Sequence, residues 1–196
     1  MSDQFEGPTL SMPVSDRRDH IAGPPAAAVT LVEYGDYQCP YCREAYVMLA
    51  KLLPKLGDNV RLVFRNFPLT QMHPNAEHAA EAAEAAAAQG RFWEMHDMLY
   101  ERQDNLEDDA LLTYAADIGL DADQFESEFS SRKYADRIRE DFQSGIRSGV
   151  NGTPTFFING HRHDGPLDLE SLTDAVTLAT GAHRESKTPK HHRPHA

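Results

Sequence analysis

An α/β fold interrupted by an all-helical insertion is predicted by three observations. The folded part opens with a strand, helix, strand pattern, the unit that makes a parallel pair of strands: Val29-Thr30-Leu31-Val32, then a helical run from Arg43 to Leu56, then Val60 to Arg65. Roughly 75 residues of purely helical periodicity follow. Strand signals then return at Thr155-Phe156-Phe157-Ile158-Asn159 and lead into one last amphipathic helix.

In chain order, residues 1 to about 12 read as loosely tied and residues 1–20 as a flexible lead-in, with a short edge strand at Leu10 to Val14. The turn Gly23-Pro24-Pro25 opens the folded domain. Val29 to Tyr34 is a buried strand. The helix after it carries Ala45, Leu49, Leu52, Leu53 and Leu56 on one side and stops at Gly57-Asp58-Asn59. Past the second strand, His73-Pro74-Asn75 opens an alanine-rich helix that runs to Gly90. Phe92 to Leu99, Leu111 to Ile118, Phe125 to Phe129 and Tyr134 to Ile146 give four further amphipathic segments. Asn159-Gly160 is a two-residue hairpin signal toward His161-Arg162-His163, and Asp168 to Thr180 is the final helix. The division is therefore one domain from 21–68 and 150–181, a helical insertion at 69–149, and a disordered His-rich tail at 182–196.

Composition narrows the function. Nineteen Lys and Arg against 31 Asp and Glu leave a formal charge of −12, which repels phosphate and argues against nucleic acid as a partner. Two cysteines, both within one short motif, provide no disulfide framework. No run approaches the ~18 apolar residues of a membrane span, so no membrane partner is expected. Met1 to Asp19 is polar and lacks an apolar core, and Arg17-Arg18 is followed by Asp19-His20 rather than an apolar stretch. A cytoplasmic location, with the cysteines mostly reduced, is the resulting expectation.

The chemistry is concentrated in Tyr34-Gly35-Asp36-Tyr37-Gln38-Cys39-Pro40-Tyr41-Cys42, at the strand-to-helix junction. A sulfur at a helix N-terminus meets unpaired N–H groups and the positive end of the dipole, both of which stabilise a thiolate. Cys39 is thus the reactive sulfur. Cys42, inside the first turn, is near enough to close a disulfide and is covered by its own helix, which makes it the resolving thiol. Pro40 suits the first helical position. The same pair also describes half of a zinc site, but no second cysteine pair exists and His161-Arg162-His163 has the wrong spacing for a finger. No metal or other cofactor is expected at Cys39 and Cys42. His191, His192 and His195 in the tail read as solvated residues rather than ligands. Met72, Met95, Met98 and Phe92 read as helical core rather than as the lining of a groove, and Trp93 as a packing anchor.

A second informative stretch is Gly149-Val150-Asn151-Gly152-Thr153-Pro154-Thr155-Phe156-Phe157. Its proline just before a strand cannot donate to a ladder, which restricts it to a strand start, an edge or a bulge. With Cys39-Pro40-Tyr41-Cys42, with Thr153-Pro154, and with the lead-in Val29 to Asp36, the chain resembles the DsbA-like branch of the thioredoxin superfamily over residues 20 to 181. The resemblance implies a thioredoxin-like fold with a helical insertion. It also implies thiol–disulfide exchange with protein or small-molecule thiols and disulfides, the reductant or oxidant being unspecified. In its terms Thr153-Pro154 is a cis-proline loop lying against Cys39 and Cys42, where the Thr153 backbone pairs with an extended substrate and its hydroxyl tunes Cys39. Glu33 is a buried acid that helps move the proton of Cys42, or else faces solvent at the strand end. Pro40 and Tyr41 set the redox potential. The competing reading is a peptide-binding module of the same fold with vestigial or metal-binding cysteines. A glutathione-transferase-like or isomerase-like enzyme is disfavoured by the paired second cysteine.

Overall fold

The computed structural model describes residues 7–187, with side-chain surroundings through 181. Five strands form one sheet: β1 (His20–Ala22), β2 (Val29–Gly35), β3 (Val60–Asn66), β4 (Thr155–Ile158) and β5 (His161–Arg162), in the spatial order β1-β3-β2-β4-β5. β2 and β3 are parallel, joined by α1 (Pro40–Leu56), and every other pairing is antiparallel. The two central strands are buried on both faces, so they read in sequence as continuous apolar runs rather than alternating ones.

One face of the sheet carries Val29, Leu31, Leu62, Phe156 and Ile158 against Leu49 and Leu52 of α1 and Leu172 and Val176 of α7 (Leu169–Lys187). The other carries Val32, Tyr34, Val63 and Phe157, covered by the N-terminal segment and by α6 (Ala135–Arg147). Between β3 and β4 the chain makes α2 (Ala76–Ala88), α3 (Phe92–Glu101), α4 (Asp108–Asp117), α5 (Ala122–Ser130) and then α6. Their shared core, built around the alanines of α2, runs without a break into Tyr37, Cys39, Cys42 and Phe64, so the helical layer packs directly on the cysteine motif. Alanine at Ala79, Ala82, Ala83 and Ala86 lets neighbouring helices approach α2 closely on several sides.

Two expectations are corrected. Residues 7–20 are not a flexible lead-in but a strap bonded to the sheet. Thr9 bridges His161, the Leu10 N–H donates to the Gly160 carbonyl at 2.9 Å, and the expected strand at Leu10 to Val14 is absent. The Asp19 carboxylate takes both ends of the Arg65 guanidinium, at 2.9 and 3.0 Å, inside the protein. A buried guanidinium needs an anion beside it, and the strap supplies one. His20–Ala22 then pairs with β3 as an edge strand ahead of the Gly23 turn. At the other end, α7 continues to Lys187, into what was expected to be a disordered tail; the remaining residues, with His191, His192 and His195, lie outside the described residues.

Candidate active site

Cys39 is the N-cap of α1 and Pro40 opens the helix. Both cysteines are free thiols. The Cys39 carbonyl accepts from the N–H groups of Cys42 and Arg43, Pro40 has no N–H, and the N–H groups of Tyr41 and Cys42 lie where they favour a charged Cys39 sulfur. Hydrogen bonding from the Cys42 thiol is the largest influence on Cys39. Burial opposes it, and the Thr153 side chain and the N–H groups of Cys42 and Tyr41 add to it, leaving the Cys39 pKa near about 5. Cys42 is fully buried, and burial pushes its thiol well above the ordinary range. One sulfur is thus charged at neutral pH and its neighbour holds a proton.

Thr153-Pro154 is a cis peptide bond, and the Thr153 carbonyl accepts from the Cys39 thiol at 3.4 Å. The loop before β4 therefore meets the start of α1 although 114 residues separate the two partners. The Thr153 hydroxyl is buried with no hydrogen-bond partner among the described residues, and its side chain favours the charged form of Cys39. Glu33 is 1 % exposed. It lies on β2 opposite Phe64 and Phe156, on the α1 side with Leu31, and its Oε1 has no hydrogen-bond partner among the described residues. Burial first, and then the nearby charge of Cys39, raise its pKa to about 8.

Tyr41 is 65 % exposed at the mouth of a groove of about 530 Å³. Met48 and Lys51 of α1, the 151–155 loop, and Leu167 and Leu169 are among the residues that line it. Met95 and Phe92 lie in the helical core and Met98 packs on it, Met72 is exposed, and Trp93 bridges the two cores, so none of these residues lines the groove.

Several residues that sequence reasoning did not single out brace the motif. Gln103, just past α3, donates its amide to the carbonyls of Tyr37 and Cys39 at 2.8 and 2.9 Å. The Tyr37 hydroxyl bonds Nδ1 of His96, which burial holds far below the usual histidine range, at about 3. Asp36 is buried; its own N–H donates to the Cys42 sulfur at 3.4 Å and its carboxylate meets His73 at 2.8 Å. The sequence signals were an aspartate two residues ahead of a glutamine in a turn and a histidine before a helix, neither of which names its partner.

Among known proteins, a profile of the family described as Thioredoxin matches residues 15–177. A crystal structure of a thioredoxin-like oxidoreductase from Silicibacter pomeroyi is similar at 31 % identity and a TM-score of 0.75, covering 85 % of this chain and 94 % of that one. α-DsbA1 from Wolbachia pipientis shares the fold at 23 % identity and a TM-score of 0.74, over 91 % of this chain and 98 % of its own. A curated protein of Salinispora tropica named as a Na(+)/H(+) antiporter is 49 % identical over 175 residues, which are 89 % of this chain and 27 % of that protein. The chain thus spans about a quarter of the length of the curated relatives it matches. With the cysteine motif and the cis-proline loop in these positions, and with five helices inserted between β3 and β4, the chain belongs to the thioredoxin family.

Proposed function

We propose that the protein is a thiol–disulfide oxidoreductase in which Cys39 makes the mixed disulfide and Cys42 resolves it. One observation carries this reading: a sulfur at the N-terminus of α1, with its pKa lowered to about 5, sits beside a buried protonated partner and against Thr153, which lines an open groove. In the reducing direction the Cys39 thiolate attacks one sulfur of a substrate disulfide, its S–S bond breaks and one substrate thiolate leaves. Cys42 then gives up its proton and attacks the Cys39 sulfur; the Cys39–Cys42 bond forms, the second substrate thiolate leaves, and two electrons have passed to the substrate. The oxidising direction is the reverse.

Glu33 is the proposed acceptor of the Cys42 proton. Formation of the mixed disulfide removes the Cys39 charge, one of the two causes that hold Glu33 protonated, so the carboxylate becomes available at the step that needs it. The Thr153 backbone and the groove beside Tyr41 would hold an extended segment of a protein substrate by strand addition. The chemistry requires no bound cofactor, because the Cys39–Cys42 pair itself carries the electrons.

None of the described helices is long and apolar enough to cross a membrane. A cytoplasmic setting would keep the pair reduced and favour reductase work; an oxidising compartment would favour disulfide donation. The test is insulin reduction driven by a dithiol, run beside oxidative refolding of a reduced protein, with Cys39→Ser as control. Activity in either assay that is lost in the control supports the enzyme. Activity in neither, with Cys39 unreactive to iodoacetamide at mildly acidic pH, supports the binding module instead.

A further inference from the structure

Cys42 has to become a thiolate to resolve a mixed disulfide, yet it is fully buried and meets the negative influence of Glu33. The backbone N–H of Asp36, 3.4 Å from the Cys42 sulfur, points at it and favours the charged form. A backbone donor helps only if its peptide plane is held, and the Asp36 side chain shows how that is done. Asp36 Oδ1 accepts from the Gln38 N–H at 2.8 Å, and Oδ2 accepts from the Leu69 N–H and from Nδ1 of His73, each at 2.8 Å. A carboxylate only accepts, so Nδ1 of His73 carries the hydrogen.

The first of these bonds is local. The other two tie Asp36 to the loop between β3 and α2, which is fastened again where the Phe67 N–H meets the Gly35 carbonyl at 2.8 Å and the Asn75 N–H meets Gln38 Oε1 at 2.7 Å. Among the described residues His73 is the one side chain that donates to Asp36, and it is itself only 15 % exposed. We infer that His73 is a positioning residue for the resolving step: through Asp36 it keeps a backbone N–H aimed at Cys42, so that Cys42 can attack the Cys39 sulfur. The inference rests on the exchange reading of Cys39 and Cys42.

In the resolving step Cys42 loses its proton, the Cys42–Cys39 bond forms, the bond between Cys39 and the substrate sulfur breaks, and the substrate leaves as a thiolate. His73 touches none of these atoms. Its removal should therefore slow resolution while leaving the first attack, by Cys39, unchanged.

The experiment uses the full chain and glutathione as the probe. Reduced protein is mixed with oxidised glutathione, and the decay of the Cys39–glutathione adduct is followed after acid quenching. Alkylation of Cys39 by iodoacetamide is measured in parallel. His73→Ala should slow adduct decay about tenfold, the loss expected for one well-placed hydrogen bond, with alkylation within twofold of native. His73→Asn, whose amide nitrogen stands where Nδ1 stood, should recover most of the rate. Should the alanine variant not fold, His73→Phe, which keeps the ring without its donor, takes its place. Decay at the native rate in the donor-less variant would overturn the inference, as would alkylation that falls by the same factor as decay, since the loop would then support the whole site without distinction. An adduct on native protein that never decays would instead overturn the exchange reading on which the inference stands.

Discussion

Replacing Thr153 by valine keeps a β-branched side chain of the same shape and removes one hydroxyl, which isolates what that hydroxyl does for Cys39. The group is buried without a hydrogen-bond partner among the described residues, and it lowers the Cys39 pKa. A hydrogen bond to a charged group is worth about 1.5–3 kcal/mol. Bonds to sulfur are long and this site lies next to a groove, so the low end applies, about 1.5 kcal/mol or roughly one pKa unit. The Cys39 midpoint should then move from about 5 to roughly 6. The same energy is lost from the reduced, thiolate form alone, so the potential of the pair should become more negative by about 30 mV. Alkylation rate is a poor assay for this change. At pH 5 the thiolate fraction falls about fivefold, but the more basic thiolate regains about threefold in nucleophilicity, leaving a difference of only about twofold. The decisive measurements are the ultraviolet absorbance of the thiolate against pH, with Cys39→Ser as blank, and equilibrium with glutathione. A midpoint shift under about 0.3 unit with an unchanged potential would refute the reasoning and leave the helix terminus and Cys42 as the groups that set the pKa.

Three further outcomes are expected. Cys39→Ser should abolish turnover, whereas Cys42→Ser should accumulate mixed disulfides with substrate, visible by mass under non-reducing conditions; full dithiol turnover by Cys42→Ser would contradict the resolving role. For Glu33→Gln the sign follows from linkage: the folded-state pKa is raised from 4.5 to about 8, so the native protein loses stability as pH rises across that window, and the substitution removes the loss. The melting temperature of the variant relative to native should climb between pH 4.5 and 8 and level off above, while its resolving step slows; parallel stability curves would show that Glu33 is not buried as a neutral acid. Asp19→Ala strands the buried Arg65 guanidinium, at a cost of about 3–5 kcal/mol, or a melting temperature lower by on the order of 10 °C. A change of a degree or two would mean that the Met12 and Pro13 carbonyls and the Tyr34 hydroxyl, which also accept from Arg65, suffice for the guanidinium.

The order of strands and helices, the turn at Asn159-Gly160 and the placing of Cys39 at a helix N-terminus were all legible in the chain, because periodicity, caps and turns are decided within a few residues of one another. β1 was missed for the same reason: three residues beginning with His20 carry no alternation, and only pairing with β3 makes them a strand. Glu33 sat at an ambiguous position because β2 is apolar on both faces, and the phase that puts Glu33 among Leu31, Phe64 and Phe156 comes from the register with both neighbouring strands. Asp36 with His73, Asp19 with Arg65, and Gln103 with the Cys39 carbonyl are pairs between polar residues 37, 46 and 64 positions apart. Such a residue needs a partner once it is buried, but its local sequence carries no information on which distant residue will be there to meet it. The sequence by itself determined that Cys39 stands at the N-terminus of a helix with Cys42 inside its first turn. Only the tertiary structure decided its surroundings, since the Thr153 carbonyl, 114 residues away, reaches the Cys39 sulfur only when the helical layer loops out and β4 pairs with β2.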